Sequence, residues 1–250
     1  MHDYLKGLFP KRGPPARATP TPAPPAERQV APPRGVAADV AADVAAMRER
    51  MKRLLPPEDL HDAAAWDTYW SYQIQDGWGA ALCDFFCEDE QMIATLRKNG
   101  LRTVLCVGSG LSLEPRRLTA AGFDVTALDL SPFALGLVER YCALHPPSPR
   151  LVVGDLTDPA VCPGPYDVII ERRTLQLFAD SDPAPAMHAV ANRLARRGIF
   201  FSHSHDGHTR PPATPQHWTR PWFEENGWDI WWGAPGTLRE RAAWLLLSTG

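Results

Sequence analysis

The sequence predicts an α/β fold in which parallel strands alternate with helices. Between Val104 and Pro132, an apolar run ends at Gly108-Ser109-Gly110 and is followed by a segment with helical character. A second apolar run then ends on Asp129. The order strand, glycine turn, helix, strand is that of a βαβ unit, whose parallel strands share one carboxyl edge. Because further strand-like and helix-like segments alternate after it, we expect the sheet to extend beyond this unit.

The carboxylate at the end of the second strand predicts a nucleoside site. Ligands of open α/β sheets lie at the carboxyl ends of the strands, where an acid accepts hydrogen bonds from ribose hydroxyls. Gly108 and Asp129 are separated by about the 20 residues that this geometry requires. A dinucleotide site would favour a third glycine, which lets the helix pack closely while its N-terminus faces the pyrophosphate, but that position is Leu113. The unit therefore predicts a nucleoside cofactor and does not favour a dinucleotide.

The same stretch resembles motif I of the class I S-adenosylmethionine-dependent methyltransferases, which usually reads acid-x-Gly-x-Gly-x-Gly. Cys106 stands where that family often has an acid, and Ser112 replaces the third glycine. The resemblance implies S-adenosyl-L-methionine as the cofactor, with the turn beneath its methionine portion and Asp129 on its ribose. It also implies a Rossmann-like, seven-stranded, mainly parallel sheet with a reversed last strand, helices on both faces and an N-terminal helical cap.

Later segments match the order of elements in this family. Leu151–Asp158 resembles the third strand, whose Asp155 would face the adenine amino group, and Tyr166–Phe178 resembles the fourth strand, which faces the transferred methyl group. Arg193–His205 resembles a helix, a basic turn and the fifth strand. The segments WFEENGWDIWW and RAAWLLLST resemble a helix, the sixth strand and the reversed seventh strand.

The resemblance covers about residues 99–250 and implies a set of site residues. The residues expected to bind the cofactor are Gly108, Ser109, Gly110, Asp129, Leu130, Asp155, Leu156 and Glu171. Glu171 and His203 are the predicted catalytic residues, and Tyr69, Trp70 and Arg172 are predicted to contact the acceptor.

Three closely spaced histidines lie at and after the end of the fifth strand. Strand alternation places His203 and His205 on one face, and His208 follows in the next loop. A general base for an oxygen or carbon acceptor, a metal pair, and plain polar loop residues are the interpretations that remain open. Because no set of carboxylate ligands can be assigned beside them, we assign no metal-ligating residues, and the sequence leaves open whether a metal is used.

The residues before the βαβ unit divide into a tail and a cap. Residues 1–35 are rich in Pro, Ala, Thr and Arg and have few large apolar side chains, which predicts a disordered tail that is either solvated or a ligand for a proline-binding module. Residues 36–98 are expected to form the helical cap. Its first segment, Val36–Leu55, has one apolar stripe and would cover its own domain or bind a partner.

Composition narrows the class of protein. A chain of 250 residues with 44% hydrophobic content is expected to form one α/β domain and an accessory segment. The tail carries a net charge of +4 and the remaining residues −7, which argues against a nucleic-acid substrate. No apolar run approaches the roughly 20 residues that a membrane span needs.

The expected function is methylation of a small molecule at O, N or S. Five cysteines without paired spacing, and first residues that lack the apolar core of a signal peptide, favour a cytoplasmic protein with reduced thiols. Methylation of a protein or peptide, and a catalytically silent cofactor-binding scaffold, remain alternatives. The sequence leaves the acceptor and the oligomeric state open.

Overall fold

The computed structural model describes residues 45–47, 49, 53, 55–75, 89–180, 184–205, 223–231, 237–239 and 241–248. The predicted tail, the greater part of the helix predicted over Val36–Leu55, and His208 lie outside the described residues. The chain separates into two compact units, residues 1–46 and 47–250. Of the first unit only Ala45 and Ala46 are described, and both are helical and exposed.

Helices and strands alternate through the second unit, as the sequence predicts. In chain order they are α1 (Ala63–Gln75), α2 (Asp89–Lys98), β1 (Thr103–Val107), α3 (Glu114–Ala120), β2 (Asp124–Asp129), α4 (Pro132–Leu144), β3 (Arg150–Val153), β4 (Tyr166–Arg172), a 3-10 helix (Leu175–Asp180), α5 (Ala184–Arg193), β5 (Leu194–His205), β6 (Asp229–Trp231) and β7 (Ala242–Ser248). Within the described ranges, every helix is too short or too polar to cross a membrane.

The seven strands form one sheet in the order β3-β2-β1-β4-β5-β7-β6. The order reverses between β1 and β4, so their carboxyl ends diverge there and leave the crevice in which ligands of such sheets bind. Strand β5 is irregular at its start, since Tyr166 pairs with Leu194 but Val168 already pairs with Ile199. The predicted seven-stranded, mainly parallel α/β sheet is thereby confirmed.

The direction of the last strand differs from the one that the resemblance implies. Strand β7 pairs in parallel with β5, from Ile199 opposite Ala242 to His205 opposite Ser248, and it also pairs in parallel with β6. The periodicity of a strand reads the same in both directions, so the sequence of β7 does not indicate its direction. Residues 232–241 separate β6 from β7, which is longer than the roughly two to five residues of a hairpin loop.

Each face of the sheet is covered by helices and forms its own apolar cluster. Successive side chains along a strand point to opposite faces, so neighbouring rows of residues across the central strands belong to different clusters. The rows are Leu105, Ile169, Phe200 and Ala243, and then Cys106, Ile170, Phe201 and Trp244. Helix α5 covers the first row, and helices α2 and α3 cover the second.

Helix α1, within the predicted cap, docks on the sheet domain through helix α4. Ser131 is the N-cap of this helix, and its Oγ accepts a hydrogen bond from Ala134 N at 3.0 Å. The same hydroxyl donates to Asp67 Oδ1 in helix α1, and Phe133 N donates to that oxygen at 3.0 Å. A carboxylate at a helix N-terminus is also favoured by the helix dipole. One cluster of hydrogen bonds therefore caps α4 and fixes α1 beside it.

We expect Ser131→Ala to destabilise the protein, because it removes the N-cap acceptor and the hydroxyl that reaches Asp67. The free energy of unfolding should fall by about 1 kcal/mol. Urea unfolding measures this change, and Glu139→Ala, at an exposed position of the same helix, is the control with an expected change of about 0.5 kcal/mol or less. Equal stability of the two variants would contradict the capping role.

Candidate functional site

A cavity of about 330 Å³ opens at the carboxyl ends of β1, β2, β3 and β4, and helix α1 forms part of its wall. Most of the residues that the sequence predicts for the site line this cavity. They are Gly108, Ser109, Asp129, Leu130, Asp155, Leu156, Tyr69, Trp70 and Arg172. Gly110, Glu171 and His203 do not line it. The fold therefore brings together residues that are widely separated in the sequence.

The glycine turn after β1 needs glycine for two reasons. Gly108 and Gly110 have φ angles of +58° and +48°, a left-handed backbone region that side chains with a Cβ rarely adopt. A Cβ on Gly108 would also lie 2.1 Å from Thr174 Oγ1, and a Cβ on Gly110 would lie 2.4 Å from the Trp70 ring. The turn is thus packed between the end of β4 and helix α1.

Asp129, at the end of β2, joins that strand to the glycine turn. Its Oδ2 accepts a hydrogen bond from Gly110 N at 2.7 Å, and its Oδ1 accepts one from Ser131 N at 2.8 Å. Burial raises the pKa of this carboxyl to about 6, although the backbone hydrogen bonds act in the opposite direction. Each carboxylate oxygen has two acceptor sites, so both can still accept a ligand hydroxyl.

Asp155, after β3, bridges to the segment that precedes helix α1. Its Oδ2 bonds to His61 Nδ1, while Oδ1 accepts from Thr157 N at 2.7 Å and from Thr157 Oγ1 at 2.8 Å. Burial raises the pKa of Asp155, but the hydrogen bonds from His61 and Thr157 outweigh it and hold the pKa below its ordinary value. Phe178, in the 3-10 helix, contacts the His61 ring edge to face, with centroids 6.2 Å apart. This end of the cavity therefore holds an ionised acid.

Glu171 is fully buried beneath the turn that follows β4. Its Oε2 accepts hydrogen bonds from Thr174 N at 3.0 Å and Leu175 N at 3.2 Å, and its Oε1 accepts one from Ser202 Oγ. Burial raises the pKa of Glu171, and these hydrogen bonds oppose that rise. The side chain therefore holds the backbone after β4. Direct contact with the cofactor and a catalytic role stay predictions.

Arg172 lines the cavity and is anchored by residues of two other elements. Its Nε donates to Glu114 Oε2 at 2.8 Å, and its Nη2 donates to Glu114 Oε1 in a second, parallel bond. Its Nη1 lies 2.9 Å from His203 Nδ1, and its guanidinium lies 4.8 Å from the centre of the Phe201 ring. Both partners of the ion pair are buried. Contact of Arg172 with an acceptor stays a prediction.

His203 is 6% exposed and lies at the end of β5 beside Arg172. Because a guanidinium has donors only, Nδ1 of His203 accepts this hydrogen bond, and the ring proton is on Nε2. A general base at Nδ1 would first have to release Arg172. The role of His203 as a base stays a prediction. Within the described residues, no group of three or more His, Cys, Asp or Glu is placed to hold a metal ion.

Arg173 brings a second positive charge to the cavity wall. It has a left-handed backbone with φ of +61°, and its N–H donates to His203 O at 2.9 Å. Burial raises the pKa of the Tyr69 phenol, although the charge of Arg173 acts in the opposite direction. The phenol is therefore protonated at neutral pH and able to donate a hydrogen bond. A strained, non-glycine residue at a strand end is typical of functional sites.

Three aromatic rings of helix α1 form a rigid wall. The rings of Trp66 and Tyr69 meet edge to face with centroids 5.3 Å apart, and those of Tyr69 and Trp70 do so at 5.1 Å. Trp66 Nε1 donates to Leu60 O at 3.1 Å, which fixes the first ring. Their spacing along a helix predicts this arrangement, and edge-to-face pairs are a favourable geometry for aromatic side chains.

Several residues that shape the site are not predicted from the sequence. Glu114, Asp67 and His61 each bond to a predicted site residue or its neighbour, from elements distant in sequence. Glu114 follows the glycine turn, and this position in the sequence is the one signal that could have indicated it as a site residue. The others have no local signal, since their partners are defined only when the cap docks.

Residues 104–198 match the family model of a methyltransferase domain. Residues 104–198 are thus a methyltransferase domain, and their strand order, glycine turn and acid at the end of β2 agree with the resemblance to the class I S-adenosylmethionine-dependent methyltransferases. The cofactor of the domain is S-adenosyl-L-methionine. None of the curated proteins matches the chain.

Solved structures that the chain resembles in part include three methyltransferases. An S-adenosylmethionine-dependent methyltransferase from Clostridium acetobutylicum ATCC 824 is 23% identical over 51% of this chain and 53% of its own, with a TM-score of 0.41. The CcbJ methyltransferase from Streptomyces caelestis is 20% identical over 45% and 47%, with a TM-score of 0.40. Magnesium protoporphyrin IX methyltransferase (ChlM) from Synechocystis PCC 6803 is 16% identical over 70% and 77%, with a TM-score of 0.39. The chain spans about half the length of the first two.

The residues of the cavity fit this cofactor. Asp129 offers acceptors for ribose hydroxyls, and the apolar side chains of Leu130 and Leu156 lie beside it in the wall. Trp70 Nε1 and Ser109 Oγ are buried in the same wall without a hydrogen-bond partner among the described residues. Buried polar atoms are normally satisfied, so these two fit a ligand with hydrogen-bonding groups.

We expect Asp129→Ala to weaken binding of S-adenosylhomocysteine, because ribose hydroxyls then lose their acceptor in a buried site. The loss should be about 5- to 150-fold. Isothermal titration calorimetry measures it, and Asp124→Ala, exposed at the opposite end of β2, is the control. In the wild-type protein, affinity should rise as the pH increases through about 6, because the ionised carboxyl accepts more hydrogen bonds. A folded Asp129→Ala variant with unchanged affinity, or with the same pH step, would contradict the assignment.

Proposed function

We propose that the protein transfers a methyl group from S-adenosylmethionine to a small molecule at an O, N or S atom. The observation that supports this most directly is the cavity itself, where acids at the strand ends lie together with an aromatic wall. Its volume of about 330 Å³ lies at the lower end of the roughly 300–1,000 Å³ range of small-molecule sites. A folded macromolecular acceptor would have to insert a side chain or a chain terminus into this cavity.

The cofactor-binding side of the cavity comes from the ends of three strands. In our proposal Asp129 accepts hydrogen bonds from the ribose, Asp155 accepts one from the adenine amino group, and Leu130 and Leu156 pack on the base. The glycine turn allows its backbone to approach the ligand closely. S-adenosylmethionine supplies the electrophilic methyl group. The task of the protein is then to hold the acceptor atom in line with it.

The acceptor side, in our proposal, comprises the rings of Tyr69 and Trp70 with Arg172 and Arg173. Flat rings favour a flat or apolar acceptor, while the guanidinium of Arg173 and the phenol of Tyr69 provide polar contacts. The guanidinium of Arg172 is already held by Glu114 and His203, so its position in the cavity wall is fixed before a ligand binds. Positioning of this kind accounts for a large part of the rate of a bimolecular transfer.

Incubation of the purified protein with methyl-labelled S-adenosylmethionine and a fractionated cell extract tests the proposed function. We expect label in the small-molecule fraction, and Asp129→Ala as a matched control should reduce it. Label confined to the protein fraction would favour the alternative of protein or peptide methylation. Tight S-adenosylhomocysteine binding without label in either fraction would favour a catalytically silent scaffold.

A hydroxyl acceptor would require a general base, which we propose is His203. In that case His203→Ala should lower turnover by about 10²- to 10⁴-fold and remove the near-neutral limb of the pH–rate profile, while cofactor affinity is retained. His203→Asn is the matched variant, because its amide oxygen can still accept from Arg172 but does not titrate. If His203→Asn keeps both the rate and the limb, His203 only positions Arg172. A thiol or free amine acceptor should show a mild effect of either change.

A further inference from the structure

Arg173 lies on a strained turn of the cavity wall that buried groups hold in place. Its φ of +61° is in the left-handed region, which is unfavourable for a residue with a Cβ and persists only where the surrounding structure fixes it. Glu171, a fully buried acid, accepts hydrogen bonds from Thr174 N at 3.0 Å and Leu175 N at 3.2 Å. Ser202 of β5 donates to the other oxygen of this carboxylate. The buried acid thus fixes the backbone that carries Arg173.

The segments that carry Arg173 and Tyr69 both pack on the glycine turn after β1. The residue that follows Arg173 packs on Gly108, where a Cβ would lie 2.1 Å from its hydroxyl oxygen. The residue that follows Tyr69 packs on Gly110, where a Cβ would lie 2.4 Å from its indole ring. Both Arg173 and Tyr69 line the cavity. Burial raises the pKa of the Tyr69 phenol and lowers that of the Arg173 guanidinium, and each group opposes the shift of the other, so the two side chains are close enough to interact.

Together, Arg173 and Tyr69 bring hydrogen-bond donors and one positive charge to the cavity. A guanidinium is charged at neutral pH and has several N–H donors, so it can bind an anion while it keeps other contacts. The Tyr69 phenol, whose pKa is raised, is protonated as well and adds an O–H donor. A cationic ligand group would be repelled by the guanidinium, whereas an oxyanion accepts hydrogen bonds from both side chains.

Arg172, the other arginine of the cavity wall, has a different environment. It forms two parallel hydrogen bonds to Glu114, and both side chains are buried. The charge of this guanidinium is therefore balanced within the wall, and a ligand oxyanion bound there would also lie beside Glu114, which repels it. The neighbouring group whose charge acts on Arg173 is instead the phenol of Tyr69. An oxyanion is thus favoured at Arg173 over Arg172.

We propose that the methyl acceptor carries an oxyanion group, a carboxylate or a phosphate, apart from the atom that is methylated, and that Arg173 and Tyr69 bind this group. The inference rests on the proposed methyl transfer to a small molecule and gives the acceptor a chemical class. A planar guanidinium binds such a group through two parallel hydrogen bonds, which fix its orientation as well as its position. The acceptor atom can then be held in line with the transferred methyl group.

The chemical nature of the product tests the inference on the unaltered protein. Incubation of the wild-type protein with deuteriomethyl-labelled S-adenosylmethionine and a filtrate of cell extract that contains small molecules only provides the labelled product. Tandem mass spectrometry should identify a carboxylate or a phosphate in this product beside the new methyl group, and it distinguishes the two. A labelled product with neither group would overturn the inference.

Arg173→Gln tests the assigned residue, because it removes the charge from the wall. At filtrate concentrations at which the wild-type rate is proportional to the filtrate, labelling should fall by about 10- to 150-fold, as expected for lost hydrogen bonds to a charged group. Arg173→Lys restores the charge without the planar fork and should regain part of the rate. Tyr69→Phe removes only the hydroxyl and should lower the rate by about 2- to 10-fold. Binding of S-adenosylhomocysteine, measured by titration calorimetry, should change by about twofold or less in each variant.

Two substitutions outside the cavity are matched controls. Arg140→Gln makes the same chemical change at an exposed position of helix α4, and Tyr72→Phe removes a hydroxyl from helix α1 at a position that does not line the cavity. Both should leave labelling and S-adenosylhomocysteine binding unchanged. Should Arg173→Gln fail to fold, Tyr69→Phe and the product of the wild-type protein still decide the question.

Labelling by Arg173→Gln at the wild-type rate would overturn the inference. A comparable loss of S-adenosylhomocysteine binding in a folded Arg173→Gln variant would overturn it as well, because Arg173 would then contact the cofactor. A wild-type protein that binds S-adenosylhomocysteine but labels nothing in the filtrate would instead reject the methyl transfer to a small molecule on which the inference rests. A labelled product without an oxyanion leaves that transfer intact, so the two failures are distinguishable.

Discussion

The hydrogen bond from Gly110 N to Asp129 Oδ2 joins the turn after β1 to the end of β2, and the rest of the site is arranged around it. The carboxylate is buried, which raises its pKa to about 6, and it is held there by backbone N–H groups of Gly110 and Ser131. A buried acid is tolerated only when its oxygens are satisfied. In our proposal the oxygens that fix the turn also accept hydrogen bonds from the ribose hydroxyls.

Helix α1 depends on that turn and on the two strand ends beside it. Asp67 bonds to the N-cap of α4 and Trp70 packs on Gly110. Before the helix, His61 bonds to Asp155. Each of these contacts lies over a different strand end, so helix α1 and the segment before it are fixed along the length of the cavity. A wall that is fixed before binding loses less conformational entropy when a ligand arrives.

Buried charge supports the opposite wall. Arg172 forms two parallel bonds to Glu114 and a third to His203, while Glu171 holds the backbone of the following turn. Burial of an ion pair is unfavourable unless the geometry is good and the remaining groups are bonded, and both conditions hold here. The result is a rigid polar support for the wall that we propose contacts the acceptor, which suits a reaction whose rate depends on alignment.

The sequence alone determined the α/β class, the glycine turn and Asp129 at the end of a strand, because each is a local pattern or a fixed spacing along the chain. The seven strands and the identity of the cofactor came from the resemblance of that pattern to a known family. Tertiary structure decided which side chains meet. The bond between Glu114 and Arg172 and the packing of Trp70 on Gly110 join residues from different elements, so their existence depends on strand register and helix docking. The parallel direction of β7 was likewise undetermined, because alternation along a strand is the same whichever way the chain runs.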